Sequence, residues 1–186
     1  MTAGHLQIIV CGAGPATNVH ELIAAAHTRS WTAAVTATAS ALPFLDAPTI
    51  EGLTGDPVRT GYQTPVTDRR TLPPVNALII APATYNTINK LALGIADTYP
   101  LTSAAEQIGR GIPTVIVPFV NAALAARAPF RRALVDLRSE GIRVLSGPGD
   151  SWEPHPPGTG PDAQASFPWQ NAFLLATQAT GRRMHP

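Results

Sequence analysis

Two loops in this chain carry the residue types that could hold a ligand. Pro82-Ala83-Thr84-Tyr85-Asn86-Thr87 follows directly on the apolar run Ala77-Leu78-Ile79-Ile80-Ala81, and Pro118-Phe119-Val120-Asn121 follows the run Ile112 to Val117. Each places an asparagine just beyond a buried strand and ahead of a helical pattern. A side-chain amide offers donors and an acceptor together, which suits a planar ligand or a substrate carboxylate. The same asparagine could instead cap its helix. At the amino-terminal end, Gly12-Ala13-Gly14-Pro15-Ala16-Thr17-Asn18 separates a strand from a helix. Small residues there let backbone N–H groups approach a phosphate at a helix N-terminus, or they make a plain β–α turn capped by Thr17 or Asn18. No Gly-Lys-Ser/Thr follows, so this is not a P-loop. Thr17 stands where a dinucleotide fingerprint has its third glycine. Thr36, Thr38 and Ser40 bring hydroxyls to the end of a second strand, for a ligand or as a helix N-cap.

Other chemistries find less support. His5, His20, His27 and His185 are expected on the surface, near the termini or on a helix face, and only His155 is a candidate for a site. No Ser/His/Asp arrangement or metal-ligand spacing is evident, and no metal is expected. A single cysteine, Cys11, rules out an intrachain disulfide framework. Thirteen basic residues against twelve acidic ones give no footprint for nucleic acid. The arginine pairs 69–70, 131–132 and 182–183 are scattered. No apolar run approaches the roughly 20 residues of a membrane span, and Met1 to His5 does not read as a signal peptide, so the expected location is cytoplasmic. The charged fraction is only 13% against 45% hydrophobic, which fits surface buried in an oligomer as well as an alanine-rich composition.

The elements that position these loops follow from the hydrophobic pattern. Leu6 to Cys11 reads as a continuous apolar strand. Val19, Leu22, Ile23 and Ala26 share one face of a helix over Val19 to His27. Trp31 to Thr38 is a second strand, with a short helix over Ser40 to Leu45. Residues 46 to 74 show little regular pattern beyond weak strand character at Val58 to Tyr62. Then come strand Val75–Ala81, helix Tyr85–Ala96, helix Leu101–Arg110, strand Ile112–Val117, an amphipathic helix over about Pro129 to Glu140 ended by Gly141, and strand Ile142–Leu145. Residues 146 to 168 include six prolines and read as a loop, arm or flap. Phe167 to Thr177 closes as a helix carrying Trp169, Phe173 and Leu174. This alternation predicts one α/β domain over 1–186, a flavodoxin- or Rossmann-like three-layer sandwich with a doubly wound parallel sheet. In such sheets ligands bind outside the carboxyl ends of the strands.

With these elements placed, the loops resemble those of the homo-oligomeric flavin-containing cysteine decarboxylases, the family of phosphopantothenoylcysteine decarboxylase and the lanthipeptide cysteine decarboxylases. Pro82 to Thr87 is similar to the family's Pro-x-Ser-Ala-Asn-Thr motif, and Pro118 to Asn121 to its Pro-Ala-Met-Asn motif. Thr38 to Leu45 resembles its segment after strand two, and Gly94 to Thr102 its Gly-x-x-Asp-x-Leu-Leu-Thr segment. The likeness covers about residues 5 to 145. It implies FMN held at a subunit interface in homotrimers or dodecamers. By carry-over, Gly12, Ala13, Gly14, Thr17, Thr38, Ser40 and the Pro82, Ala83, Thr84, Tyr85, Asn86 loop would hold the cofactor. Asn86 and Asn121 would hold the substrate carboxylate.

The resemblance further implies flavin-dependent oxidative decarboxylation of a cysteine-like or peptide carboxyl substrate. Three departures accompany it. The family's decarboxylases carry a histidine about 14 residues before the motif proline; here that count lands near Asp68, and no histidine lies between His27 and His155. Tyr85 replaces a small alanine. The arm lacks the cysteine of the pantothenate-pathway members, so phosphopantothenoylcysteine is not the expected substrate. Asp68, Tyr62, Tyr85 or His155 would have to supply what the histidine did. The alternatives are a catalytically silent FMN-binding or regulatory subunit, and a nicotinamide enzyme, which the broken glycine fingerprint disfavours.

Overall fold

A computed structural model describes residues 2–62, 73–150 and 152–181. Its centre is a five-stranded sheet in the order β2-β1-β3-β4-β5, built from β1 (Gly4–Val10), β2 (Trp31–Ala37), β3 (Ala77–Ala83), β4 (Thr114–Pro118) and β5 (Arg143–Val144). Every pairing is parallel. The chain runs out from β1 to β2, returns across to β3 and continues to β5, which makes the β1/β3 boundary the topological switch point. Both faces of a parallel sheet must be covered, and the alternation of side chains along each strand assigns the partners.

On one face Leu6, Ile8 and Val10 of β1 pack with Val35 of β2 and Ile79 of β3 beneath α1 (Val19–His27) and α8 (Trp169–Gly181). On the other, Ile9, Leu78, Ile80 and Ile116 meet α3 (Tyr85–Ala92), α4 (Tyr99–Gly109) and α6 (Ala128–Ser139). The fold is therefore the three-layer doubly wound sandwich expected from the sequence. Phe130 and Leu137 of α6 are fully buried, each contributing about 1.5–3 kcal/mol of apolar transfer.

Several boundaries differ from the sequence reading, each for a local reason. Residues 47–54 form a helix, α2 (Ala47–Thr54), inside a stretch read as irregular. Asp46 caps it, accepting from the Thr49 N–H at 3.2 Å and the Thr49 hydroxyl at 2.6 Å, and Gly55 ends it at φ 73°. Helix α3 stops at Ala92, because Gly94 takes φ 69° and Ile95 N–H bonds back to Lys90 O. A short helix, α5 (Ala122–Ala125), follows Asn121 where a helical pattern was read, and a second, α7 (Gly160–Gln164), lies in the segment read as a loop, arm or flap. His5, expected at the surface, is only 3% exposed, since β1 already begins at Gly4. Nor is β1 apolar throughout: Gln7 is a buried polar residue at its centre.

The sheet's two outer strands end differently. Arg59 pairs like a strand residue against β2, with its N–H bonded to Val35 O and its carbonyl accepting from Ala37 N–H. At the opposite side β5 contributes just two residues. Among the described residues no helix is long and apolar enough to cross a membrane.

Candidate functional site

The carboxyl ends of β1, β2, β3 and β4 are tied side by side beyond the strands themselves. Thr38 N–H bonds to Val10 O at 3.0 Å, Cys11 N–H to Pro82 O at 3.1 Å, and Phe119 N–H to Ala83 O at 2.9 Å. These bonds align the four loops along one edge at the switch point, and so bring Gly12–Thr17, Thr38–Ser40, Pro82–Asn86 and Asn121 together.

Gly12 lies so close to the second loop that a Cβ on it would sit 2.7 Å from the Ser40 carbonyl carbon; only glycine allows this approach. Residues Gly14–Asn18 make a 3-10 turn with Pro15 in its first turn, and neither Thr17 nor Asn18 caps α1. Beside it the Thr38 and Ser40 hydroxyls are 3.1 Å apart, and Ser40 is exposed. Thr36 takes no part: it is buried on the sheet's second face near Gln7.

The two asparagines differ. Thr84, not Asn86, caps α3, its hydroxyl oxygen accepting from Thr87 N–H. Asn86 is exposed, and its amide has no hydrogen-bond partner among the described residues, which leaves it available to a ligand. Asn121 caps α5, accepting from Leu124 N–H at 2.9 Å, so only its NH2 remains to donate. Tyr85 turns its ring onto Phe130 at 5.6 Å in a near-parallel stack. Cys11 is fully buried beneath this edge, where burial pushes its thiol pKa up against the opposing pull of Thr87 and Thr84.

The proline-rich arm packs over the same edge. Trp152 is buried and donates its indole N–H to Pro118 O at 2.8 Å. His155 pairs with Asn121 through the backbone, Ala122 N–H bonding to His155 O, and its ring lies 4.9 Å from that of Phe119. The His155 Nδ1 sits 2.9 Å from Pro156 O; a carbonyl only accepts, so Nδ1 donates this bond. At the end of the arm Gln164 touches Gly14 and donates from Nε2 to the Thr17 hydroxyl at 3.0 Å. That contact gave no signal in the sequence, because nothing in residues 146–168 fixes which loop they cover. Asp68 lies outside the described residues. Tyr62 stands apart from this edge, ring to ring with Tyr99 at 4.9 Å.

Comparison with known proteins bears on the family and the fold. The family model described as Flavoprotein matches residues 1–159. Two curated proteins, both dihydromethanopterin reductases (acceptor), match part of the chain. That of Methanosarcina mazei is 30% identical over 71 residues, 38% of this chain and 30% of that protein. That of Methanocaldococcus jannaschii is 43% identical over 58 residues, 31% of this chain and 23% of that protein. The matches thus span under a third of these relatives' length. Among solved structures, the FMN-dependent cysteine decarboxylase TvaF from thioviridamide biosynthesis superposes with a TM-score of 0.70 at 23% identity, covering 96% of this chain and 99% of that one.

Proposed function

Because this chain belongs to the Flavoprotein family, we propose that it holds FMN at the β1/β3 edge and decarboxylates a cysteine-like or peptide carboxyl substrate. The observation that carries this reading is the exposed Asn86 amide, unpartnered among the described residues, beside the hydroxyls of Thr38 and Ser40 and the small residues of the first loop. The donor set fits the cofactor. The first-loop N–H groups and the Thr17, Thr38 and Ser40 hydroxyls would hold its phosphate. The residues Pro82 to Asn86 would line its ring, with Tyr85 contributing backbone while its side chain braces α6.

When bound, FMN supplies the two-electron acceptor for oxidation of the thiol-bearing carbon. The protein's own part is positioning. Asn86 and the Asn121 NH2 orient the departing carboxylate. In its neutral form the His155 ring would offer a lone pair at Nε2 to take the proton of the substrate thiol. The arm, residues 146–168, closes over the site and excludes water, with Gln164 steadying the first loop. With FMN held there, its chemistry would take two electrons from the substrate, which on loss of CO2 would end as an enethiol. Asp68 and Tyr62 have no role in this proposal.

The proposal includes self-association, in trimers or assemblies of trimers, with the flavin at the subunit interface. Leu42 and Phe44, beside the second loop, are 43% and 38% exposed, an apolar border that a neighbouring copy would cover. The whole chain acts as one domain in the cytoplasm.

The test is direct. Purified protein should be yellow and release FMN on denaturation. Anaerobic mixing with a peptide ending in cysteine should bleach the flavin, and the peptide should lose the mass of CO2 and two hydrogens. Colourless protein that takes up no added FMN would refute the cofactor. Bound FMN without bleaching would leave a silent carrier, and bleaching without CO2 release would point to a reductase.

A further inference from the structure

A cavity lies away from the flavin edge. It occupies about 370 Å3 on the face of the sheet covered by α4, within the range of small-molecule sites. Gln7, at its floor, is five residues before Gly12 on the same strand line, roughly 16 Å at about 3.3 Å per residue. The strand pattern explains the position. The β1 residues on this face are His5, Gln7 and Ile9 in turn, with Cys11 just beyond the strand, polar in the first half and apolar after it, so the cavity forms where the polar half meets β2.

Four buried polar atoms in this cavity have no hydrogen-bond partner: His5 Nε2, Gln7 Oε1, Arg59 Nε and Gln107 Oε1. The side chains of His5, Gln7 and Gln107 belong to residues at least nine-tenths buried. His5 and Gln7 are held in place by other bonds. His5 Nδ1 lies 2.8 Å from the Thr32 hydroxyl, and Gln7 Nε2 donates to the Ser103 hydroxyl at 2.7 Å. Turning the Gln7 amide over would only exchange which of its atoms is left bare. A buried polar atom without a partner costs free energy, and four of them lining one cavity mark a site built for something that supplies their partners.

Their chemistry defines the ligand. Arg59 Nε–H can only donate and carries positive charge, so it calls for an anionic oxygen. The charged residues lining the cavity among the described residues are Arg59, Arg110 and Glu106. Glu106 faces Arg110 at 3.7 Å, which leaves Arg59 as the cation without a counter-charge among the described lining residues; Asp56, which acts on His5 together with Arg59, lies outside that lining. The amide oxygens of Gln7 and Gln107 need N–H or O–H donors. We infer that this cavity binds a small organic carboxylate that also carries an amide or hydroxyl donor, at a site separate from the flavin edge.

Saturation-transfer NMR on the full-length protein, with N-acetylglycine as probe and N-acetylglycinamide as its neutral counterpart, tests this. The carboxylate should bind saturably, and the neutral probe roughly tenfold or more weakly, the usual value of a hydrogen bond to a charged group. Arg59→Ala should weaken the carboxylate by a similar factor. Gln107→Leu, on α4 rather than at the sheet edge, should weaken both probes. Absence of saturable transfer, equal binding of the two probes, or full binding by Arg59→Ala would each overturn the inference and leave a hydrated cavity. None of these outcomes depends on whether FMN occupies the other edge.

Discussion

Replacing Gly12 with alanine tests whether the first two loops form one cradle. The added Cβ would lie 2.7 Å from the Ser40 carbonyl carbon and 2.8 Å from Ser40 Cβ. These neighbours belong to a backbone segment fixed by the Thr38 N–H to Val10 O bond, so they cannot swing aside as a free side chain would. The Ser40 carbonyl oxygen lies closer still, so restoring an ordinary contact of 3.4 Å moves the second loop outward by more than roughly 0.7 Å, with overpacking of this kind costing about 1–3 kcal/mol. That corresponds to a fall in Tm on the order of 2–10 °C. It also carries the Thr38 and Ser40 hydroxyls away from the first loop, so FMN retention should fall with it. Gly14→Ala should cost less in Tm, since the group its Cβ meets is the amide end of Gln164, a side chain that can give up its bond to the Thr17 hydroxyl where backbone cannot move. The assay is thermal unfolding with flavin content measured on the same preparations. A Gly12→Ala protein with wild-type Tm and full flavin would refute the close apposition and the cradle built on it.

Further expectations concern single residues. Asn86→Ala should leave stability within about 0.5 kcal/mol while abolishing flavin reduction by substrate, whereas Asn121→Ala should cost about 0.5–2 kcal/mol through loss of the α5 cap; unfolding curves and anaerobic bleaching separate the two. Trp152→Phe leaves Pro118 O without its donor and should cost about 1–3 kcal/mol, detected as faster proteolysis within the arm. Cys11 should resist thiol reagents in the native protein and react on unfolding, as its burial and raised pKa require. His5 makes stability depend on pH. Burial holds its pKa below the ordinary 6.5, with Asp56 pulling it up and Arg59 pushing it down. The unfolded chain therefore binds the proton more readily. The His5 contribution is complete above pH 6.5 and is lost as pH falls from there through the lower folded value. His5→Gln should flatten that part of a denaturation profile.

How far the sequence foretold this molecule depended on the range over which its signals act. Strand and helix runs such as Val19 to His27 were legible because burial imposes a period of two or 3.6. The switch-point loops were legible because both follow long apolar strands. Helix α2 was missed although its cap and stop, Asp46 and Gly55, are ordinary signals; its apolar content was too thin to draw attention. Other features depended on contacts distant in sequence. That Gln164 would reach Thr17, or that Thr84 would cap α3 and leave Asn86 free, is decided by tertiary packing. Gln7 could have been noticed as a polar residue in an otherwise apolar strand, and His5 two residues before it, since alternation alone puts them on one face.

The treatment of the two outer strands bears on how copies of this chain can join. An open parallel edge invites another chain to extend the sheet, but here the Arg59 segment occupies the outer hydrogen bonds of β2 near its carboxyl end, and β5 offers a stub of two residues. Sheet-on-sheet addition therefore has little ladder to grow from. In the assembly proposed above, copies would meet through side chains, at surfaces such as Leu42 and Phe44. Such a geometry suits an active site completed by a neighbour, because the contact lies beside the loops and leaves the ladder intact.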